Sequence, residues 1–349
     1  MAERKAVVAG ALGVIGRHLA QYLTTLEGWQ VVGLSRRKPD FETTVRYISV
    51  DLLEREDCQA KLADLTDTTH IFYAALQGAL DADNVAPNRD MLVNLVETIE
   101  PIAPRLEHIS LTQGGKVYGC HLGPFKTPAK ETDPRHMPPD FYYDQEDFLK
   151  ERQKGKNWSF SLIRPDFVCG FALGNAMNLT TVIAVYAAIS KELNLPLYYP
   201  GSAKAFGRIA EVTDTHHLAK ATHWAATTPA CANQAFNVTN GDFFRWRYLW
   251  PRIAAFFGME AGPPQPMLLA QQMADKGAVW DAIVKKHDLR PHGFEEIAQW
   301  PFGDFTFGAE WDFMLDMTKA RTYGFHDAVD SEEMFLRMFA EMRRDKIIP

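Results

Sequence analysis

Three glycines near the start of the chain have the spacing of an anion-binding turn. An apolar run ending in Val7-Val8 leads into Gly10-x-x-Gly13-x-x-Gly16, and an amphipathic stretch follows. The first glycine permits a tight turn, the second lets a pyrophosphate approach the backbone, and the third lets the next helix pack close to the strand. Unpaired N–H groups at the helix start complete an anion site. The pattern therefore predicts a dinucleotide site formed by Gly10, Leu12, Gly13, Val14, Ile15 and Gly16.

Two arginines follow the second predicted strand, Trp29–Ser35, where a dinucleotide fold meets the adenosine ribose. An acidic residue at this place favours a free 2′-hydroxyl, whereas arginine favours a 2′-phosphate. The segment reads Ser35-Arg36-Arg37, and each guanidinium can hold phosphate with a fork of donors. The pattern favours NADPH over NADH. A solvated basic loop is the alternative.

Further candidate cofactor contacts lie where later predicted strands end. Asp51 and Leu52 close a third strand, and the Asp51 carboxylate could accept a hydrogen bond from the adenine amino group. An N-cap for the next helix is an equal alternative for Asp51. Small side chains at the end of the fourth strand would let the cofactor pass close to the backbone. The other candidates are Ala74, Ala75, Thr112, Pro165, Met177 and Asn178.

The glycine spacing resembles that of the extended short-chain dehydrogenase/reductase superfamily, whose usual catalytic pair is missing here. Such enzymes carry Tyr-x-x-x-Lys after the fifth strand, and the lysine lowers the pKa of the phenol. No tyrosine in this chain has a lysine four residues later, and Tyr142 is followed by Glu146. Lys116, at a loop position where related enzymes carry serine, is the candidate replacement. The alternatives are a packed aromatic for Tyr142 and a solvated lysine for Lys116.

Several blocks together resemble the progesterone 5β-reductase/iridoid synthase-like enone reductases, and this likeness runs almost end to end. In that family the first tyrosine of a Phe-Tyr-Tyr-x-x-Glu-Asp block and a loop lysine are catalytic, which implies these roles for Tyr142 and Lys116. The order Leu111-Thr112-Gln113-Gly114 and the insert Cys120-His121-Leu122 depart from plant members and affect the expected pocket shape. The blocks are Gly114-x-Lys116-x-Tyr118, Gly123-Pro124-Phe125, Phe141-Tyr142-Tyr143-x-x-Glu146-Asp147, Arg164-Pro165, Met177-Asn178-Leu179, Phe302-Gly303-Asp304 and Lys346-Ile347-Ile348-Pro349.

The resemblance implies NADPH-dependent conjugate reduction of a small apolar enone or enal. Hydride would reach the β-carbon while Tyr142, assisted by Lys116, donates a hydrogen bond to the carbonyl oxygen as it becomes an enolate. The proton at the α-carbon is expected from water. Two other hypotheses stay open: a nucleotide-sugar epimerase or dehydratase of the same fold, and a non-catalytic NADPH-binding redox sensor.

The elements that must position these residues alternate between strand and helix. This alternation predicts an α/β fold, a doubly wound parallel Rossmann sheet of about seven strands with a smaller, mainly helical C-terminal substrate cap. We expect residues 1–170 plus about 207–240 to form the NADP-binding domain. Residues of about 171–206 and 241–349 should form the interleaved cap.

The composition excludes several classes of function. The net charge of −7 provides no electrostatic footprint for nucleic acid or an anionic membrane. The four cysteines are far apart, which indicates buried thiols rather than zinc or disulfides, and His216, His217 and His223 lack a metal-binding spacing. With no signal-peptide core and no long apolar segment, we expect a cytoplasmic protein. A homodimer is common among relatives of this size, but the sequence does not determine the oligomeric state.

Overall fold

A parallel sheet of seven strands forms the centre of the protein. A computed structural model describes residues 3–39, 41–78, 84–175 and 177–349. The strands are β1 (Arg4–Ala9), β2 (Trp29–Ser35), β3 (Arg46–Ser49), β4 (His70–Tyr73), β5 (His108–Thr112), β6 (Ser159–Arg164), β7 (Val168–Cys169), β8 (Leu197–Tyr199), β9 (Thr213–Asp214), β10 (Gln234–Asn237) and β11 (Ala261–Pro264). The large sheet has the order β10-β6-β5-β4-β1-β2-β3 with every pair parallel. The prediction of a doubly wound seven-stranded sheet is confirmed.

The helices cover both faces of this sheet and build the region beyond it. They are α1 (Val14–Thr24), α2 (Arg55–Lys61), α3 (Val85–Ile99), α4 (Phe141–Gln153), α5 (Leu179–Glu192), α6 (Ala203–Gly207), α7 (Thr215–Thr227), α8 (Trp246–Phe256), α9 (Leu269–Gln272), α10 (Gly277–Lys286), α11 (Phe294–Ile297), α12 (Trp300–Gly308), α13 (Thr318–Thr322) and α14 (Ser331–Arg344). Among the described residues, no helix is long and apolar enough to cross a bilayer.

Successive side chains of β1 point to opposite faces of the sheet and pack against different helices. Val8 and Ala6 pack with Leu19 of α1 on one face, whereas Val7 and Ala9 pack with α2, α3 and α4 on the other. Both sets are fully buried. A strand buried on both faces reads as a continuous apolar run, which is why the sequence identified β1.

The strand ends differ slightly from the predicted ones. The fourth strand stops at Tyr73 rather than Leu76, and the third stops at Ser49, so that Asp51 lies in the turn after it. The Asp51 Oδ1 accepts a hydrogen bond from the Leu53 backbone N–H at 3.0 Å. This side chain–backbone turn competes with the strand ladder and ends it.

A large aromatic core lies beside the sheet, in the part of the chain expected to form the cap. Trp246, Trp250 and Trp280 are almost fully buried there, packed among α5, α8, α10 and α14. The helix α13 falls in the same sequence range, yet Met317 and Ala320 pack against Ile163 and Phe236 of the sheet. The domain boundaries of 1–170, 171–206, 207–240 and 241–349 stay predictions.

Candidate active site

A cleft of about 670 Å³ opens along the carboxyl edge of the sheet. Carboxyl ends of parallel strands meet at this edge, which is where open α/β sheets bind ligands. The predicted residues that line it are Gly10, Leu12, Gly13, Val14, Ile15, Ser35, Arg36, Arg37, Asp51, Leu52, Ala74, Ala75, Thr112, Lys116, Tyr142, Pro165 and Met177. The structure therefore brings both predicted catalytic residues into one space with the predicted cofactor residues.

Gly16 and Asn178 lie outside the cleft lining. A Cβ on Gly16 would be 2.3 Å from the Gly10 carbonyl oxygen, so this glycine serves the close packing of α1 on the turn. Asn178 is 2% exposed and caps α5, where its Oδ1 accepts from the Thr181 N–H at 3.2 Å. Direct cofactor contact from these two residues stays a prediction.

The glycine turn after β1 has the shape of a cradle for an anion. Gly10 has φ +74°, and a Cβ there would be 2.6 Å from the Ala74 carbonyl oxygen. Gly13 is the N-cap of α1 and provides no side-chain cap, and no acidic residue lies in the first turn. The first N–H groups of α1 are thus left for an anionic ligand, and these residues fit a dinucleotide pyrophosphate.

The two arginines after β2 are exposed at one end of the cleft. Arg36 Nη1 lies 3.3 Å from Gln77 Oε1, and Arg37 Nη2 donates to the Leu173 carbonyl at 3.1 Å. Both acceptors are neutral, so both guanidiniums keep a charge that suits a phosphate.

Asp51 lies in the cleft lining and does not cap the next helix. The N-cap of α2 is Glu54, and Asp51 instead receives the Leu53 N–H. The helix-cap interpretation of Asp51 is therefore wrong, and its adenine contact stays a prediction.

Tyr142 lies in the first turn of α4, with its hydroxyl against the loop after β5. The Asp140 side chain caps the helix by accepting from the Tyr142 N–H at 2.9 Å. The hydroxyl is 3.5 Å from the point where a Cβ on Gly114 would lie, and only 9% of Tyr142 is exposed. Burial raises the pKa of Tyr142 well above its usual range, and the neighbouring Asp140 carboxylate adds to this. The phenol is a neutral hydrogen-bond donor.

Lys116 also lines the cleft and comes from the loop after β5. It lies in a short 3-10 turn, Gly115–Tyr118, directly after β5, and is 6% exposed. Its Nζ is 5.0 Å from the centre of the Phe141 ring. Burial raises the pKa of Asp140, and the charge of Lys116 opposes this rise. The ammonium therefore lies near Asp140 and Phe141.

Glu146, at the position where related enzymes carry lysine, belongs to a buried network behind Tyr142. Arg164 of β6 contacts Glu146 Oε2 at 3.2 Å and Gln113 Oε1 at 2.9 Å. Gln113 in turn donates to the Tyr142 carbonyl at 3.0 Å. These contacts fix α4 to β5 and β6, so they position the tyrosine.

Residues 47–349 match the family described as the PRISE-like Rossmann-fold domain. This chain belongs to that family.

Curated PRISE-like relatives match over nearly the whole chain. The (S)-8-oxocitronellyl enol synthase of Antirrhinum majus is 36% identical and covers 99% of this chain and 92% of its own length. The 3-oxo-Delta(4,5)-steroid 5-beta-reductase of Arabidopsis thaliana is 34% identical, over 99% of this chain and 94% of its own length. The family and its enzyme character are thus established by sequence.

Solved structures show the same fold at much lower identity. The UDP-glucose 4-epimerase of Thermus thermophilus, in complex with NAD, has a TM-score of 0.67, with 17% identity over 96% of this chain and 99% of that one. The UDP-glucose 4-epimerase of Thermotoga maritima, with UDP-glucose, has a TM-score of 0.69, with 15% identity over 97% of this chain and 99% of that one. Identity this low shows the fold alone.

Some residues of this PRISE-like cleft have no role that the sequence predicted. Asp166 and Gln145 line the cleft, as do Cys120 and His121 of the insert that departs from plant members. Asp166 comes two residues after the end of β6, as Asp51 comes two residues after the end of β3, and this position is the signal that could have identified it. Four phenylalanines, Phe141, Phe167, Phe302 and Phe305, give the cleft an apolar wall.

Proposed function

We propose that this protein is an NADPH-dependent reductase of the conjugated C=C bond in small, apolar enones or enals. One observation carries the proposal: a buried, neutral Tyr142 and a buried Lys116 both line the cleft that also holds the glycine cradle. The relatives of this chain include an enol synthase and a steroid 5-beta-reductase, in accord with the proposal.

The residues that would hold the cofactor form a continuous path along the cleft. The Gly10–Gly13 cradle and the start of α1 would bind the pyrophosphate, and Arg36 and Arg37 would bind the 2′-phosphate. Asp51 would accept from adenine at the far end. When bound, NADPH supplies the hydride that the β-carbon of the substrate accepts.

Tyr142 and Lys116 would stabilise the charge that develops on the substrate oxygen. A phenol whose pKa is raised by burial keeps its proton and can donate a hydrogen bond to an enolate. The Lys116 ammonium adds a positive charge in a space from which aromatic side chains exclude much of the water. Conjugate reduction needs this oxyanion support but no proton relay through a helix lysine, so Glu146 at that position does not impair it.

The two rival hypotheses make different demands on the cleft. A nucleotide-sugar epimerase needs a tyrosine that can ionise, and burial raises the pKa of Tyr142 instead. A redox sensor needs the cradle but has no use for Tyr142 and Lys116. Location in the cytoplasm remains our expectation, which fractionation would test, and light scattering would determine whether the protein is a homodimer.

The test is NADPH oxidation with 2-cyclohexenone and progesterone by the wild type and Tyr142→Phe, with the products identified by mass spectrometry. A saturated ketone as product, and a large loss in the variant, support the proposal. Oxidation with saturated carbonyl compounds alone would identify an ordinary ketone reductase. Tight NADPH binding without turnover of any carbonyl compound would favour the sensor.

A further inference from the structure

A buried carboxyl group with an unsatisfied oxygen borders the substrate end of the cleft. Asp166, in the turn after β6, is 8% exposed and lines the cleft. Its Oδ1 accepts from the Phe167 N–H at 3.1 Å, whereas Oδ2 is buried and has no hydrogen-bond partner. A buried polar atom left unpaired is costly, which makes a ligand contact the natural role for it.

A second buried acid and a buried arginine lie behind Asp166. Glu211 is fully buried; its Oε1 accepts from the Leu315 N–H at 2.8 Å and its Oε2 has no partner. The Nη atoms of Arg208 donate hydrogen bonds to the backbone carbonyls of Ile209 and Thr306, at 3.2 and 3.0 Å. The carboxyl of Asp166 is therefore held near a cation without being bound by it.

Tyr142 and Asp166 face two consecutive residues of the same loop. The Tyr142 hydroxyl is 3.5 Å from the Cβ point of Gly114, and Asp166 Oδ1 is 3.2 Å from the Cβ point of Gly115. Neighbouring Cα atoms are about 3.8 Å apart. Tyr142 and Asp166 therefore border the same loop, and both line the cleft that would hold the enone.

We propose that Asp166 is the acid that protonates the α-carbon of the enolate, in place of water. This inference rests on the proposed function. The O–H bond of Asp166 breaks and a C–H bond forms at the α-carbon, while the electron pair of the enolate returns the oxygen to a carbonyl. Asp166 is left as a carboxylate near the Arg208 cation and recovers a proton from solvent through the cleft.

The surroundings of Asp166 suit this exchange of protons. Burial raises the pKa of Asp166 to about 7, against the opposing charge of Arg208. Burial also raises the pKa values of Glu211 and of the Cys120 thiol well above their usual ranges, which disfavours a second negative charge beside Asp166. An acid whose pKa lies near the working pH is suited both to donate and to accept a proton.

The first test needs no hydride donor. In D₂O with NADP⁺, the protein should exchange an α-hydrogen of 2-methylcyclohexanone, since the Asp166 carboxylate can remove the proton that the acid would deliver. Asp166→Asn is close in shape and cannot transfer a proton, so the exchange should fall about 100-fold or more. Glu211→Gln, the matched control outside the cleft, should keep most of it. Thermal melts establish that both variants are folded.

The second test is the configuration of the reduction product. The wild type should convert 2-methyl-2-cyclohexenone to 2-methylcyclohexanone with one enantiomer in excess. Asp166→Asn should lose that excess while NADPH oxidation continues, since protonation then comes from water.

The outcomes separate the two proposals. Unchanged exchange and configuration in Asp166→Asn, or an equal loss in Glu211→Gln, would overturn the role of Asp166 and leave enone reduction standing. Asp166-dependent exchange in a protein that reduces no enone would overturn the proposed function and keep Asp166 as the proton-transfer residue.

Discussion

Arg164 and Glu146 form a buried ion pair, with Arg164 Nη2 3.2 Å from Glu146 Oε2 and both side chains less than a tenth exposed. Glu146 occupies the helix position where short-chain reductases usually carry the lysine that assists catalysis. Burial pushes the pKa of Glu146 upward, but Lys150, Arg164 and Arg135 outweigh this and lower it, so the carboxylate is ionised. The helix position that carries a catalytic lysine in short-chain reductases is thus occupied here by a structural glutamate, Glu146.

Breaking this pair should destabilise the protein. Glu146→Ala leaves Arg164 buried without its carboxylate, and we expect a loss of about 3–5 kcal/mol in the free energy of unfolding, measured with urea. Lys150→Ala removes the exposed partner of the same carboxylate and should cost below about 1 kcal/mol. Glu146→Lys, which restores the usual spacing, should be no better than Glu146→Ala because its charge is repelled by the three cations Lys150, Arg164 and Arg135. Similar stabilities for all three variants would contradict this account.

Tyr142→Phe should lower kcat by about 10²–10³-fold, the usual effect of removing one oxyanion donor. NADPH affinity, measured by fluorescence titration, should stay near that of the wild type. Because burial raises the pKa of Tyr142 well above its usual range, the wild-type kcat should not change through ionisation of this phenol between pH 8 and 10. A step in kcat near pH 10 that disappears in Tyr142→Phe would show a phenol that ionises, contrary to this prediction.

Arg36 and Arg37 should determine the choice between the two nicotinamide cofactors. The double alanine variant should weaken NADPH binding by about 1.5–3 kcal/mol, the range for a hydrogen bond to a charged group, and leave NADH binding nearly unchanged. Calorimetry with both cofactors measures this. Lys38→Ala, in the same exposed loop, is the control. Equal losses for the two cofactors would place the 2′-phosphate elsewhere.

Gly10 and Gly28 offer a matched pair of substitutions. Both have positive φ, +74° and +80°, but a Cβ at Gly28 meets nothing within 4 Å, whereas one at Gly10 meets the Ala74 backbone at 2.6 Å. Gly28→Ala should cost about 1–2 kcal/mol of stability through backbone strain alone. Gly10→Ala should cost more and also abolish cofactor binding, as calorimetry would show. Normal binding by Gly10→Ala would be inconsistent with the cradle.

Buried histidines should make the protein sensitive to acid. Burial lowers the pKa of His70 and of His108 to about 3 and of His18 to about 4. Above pH 6.5 these histidines are neutral in both the folded and the unfolded state. Below pH 6.5 they bind protons in the unfolded chain but stay neutral in the folded chain. Stability should therefore fall from pH 6.5 toward pH 3, by about 2 kcal/mol per histidine at pH 5. Urea titrations should show a shallower slope for His108→Asn; an identical slope would contradict it.

The sequence by itself determined the parts of this protein that depend on local backbone chemistry. The Gly10–Gly16 spacing, the apolar run of β1 and the arginines after β2 act within a few residues, so the sheet and the glycine turn could be predicted from them, whereas the cofactor contacts stay predictions. The family blocks added Tyr142 and Lys116. The contact of Asp51 with Leu53, rather than a helix cap, was one local choice that the sequence left open.

The tertiary structure decided which distant residues share a buried space. Glu146 pairs with Arg164 across a helix and a strand, and Asp166 lies with Glu211 because β6 and the segment after α6 converge at one edge of the sheet. Burial then changed their chemistry: one carboxylate is ionised because three cations surround it, while the pKa of Asp166 rises to about 7. No local pattern encodes these differences, because desolvation and charge depend on what the fold brings together.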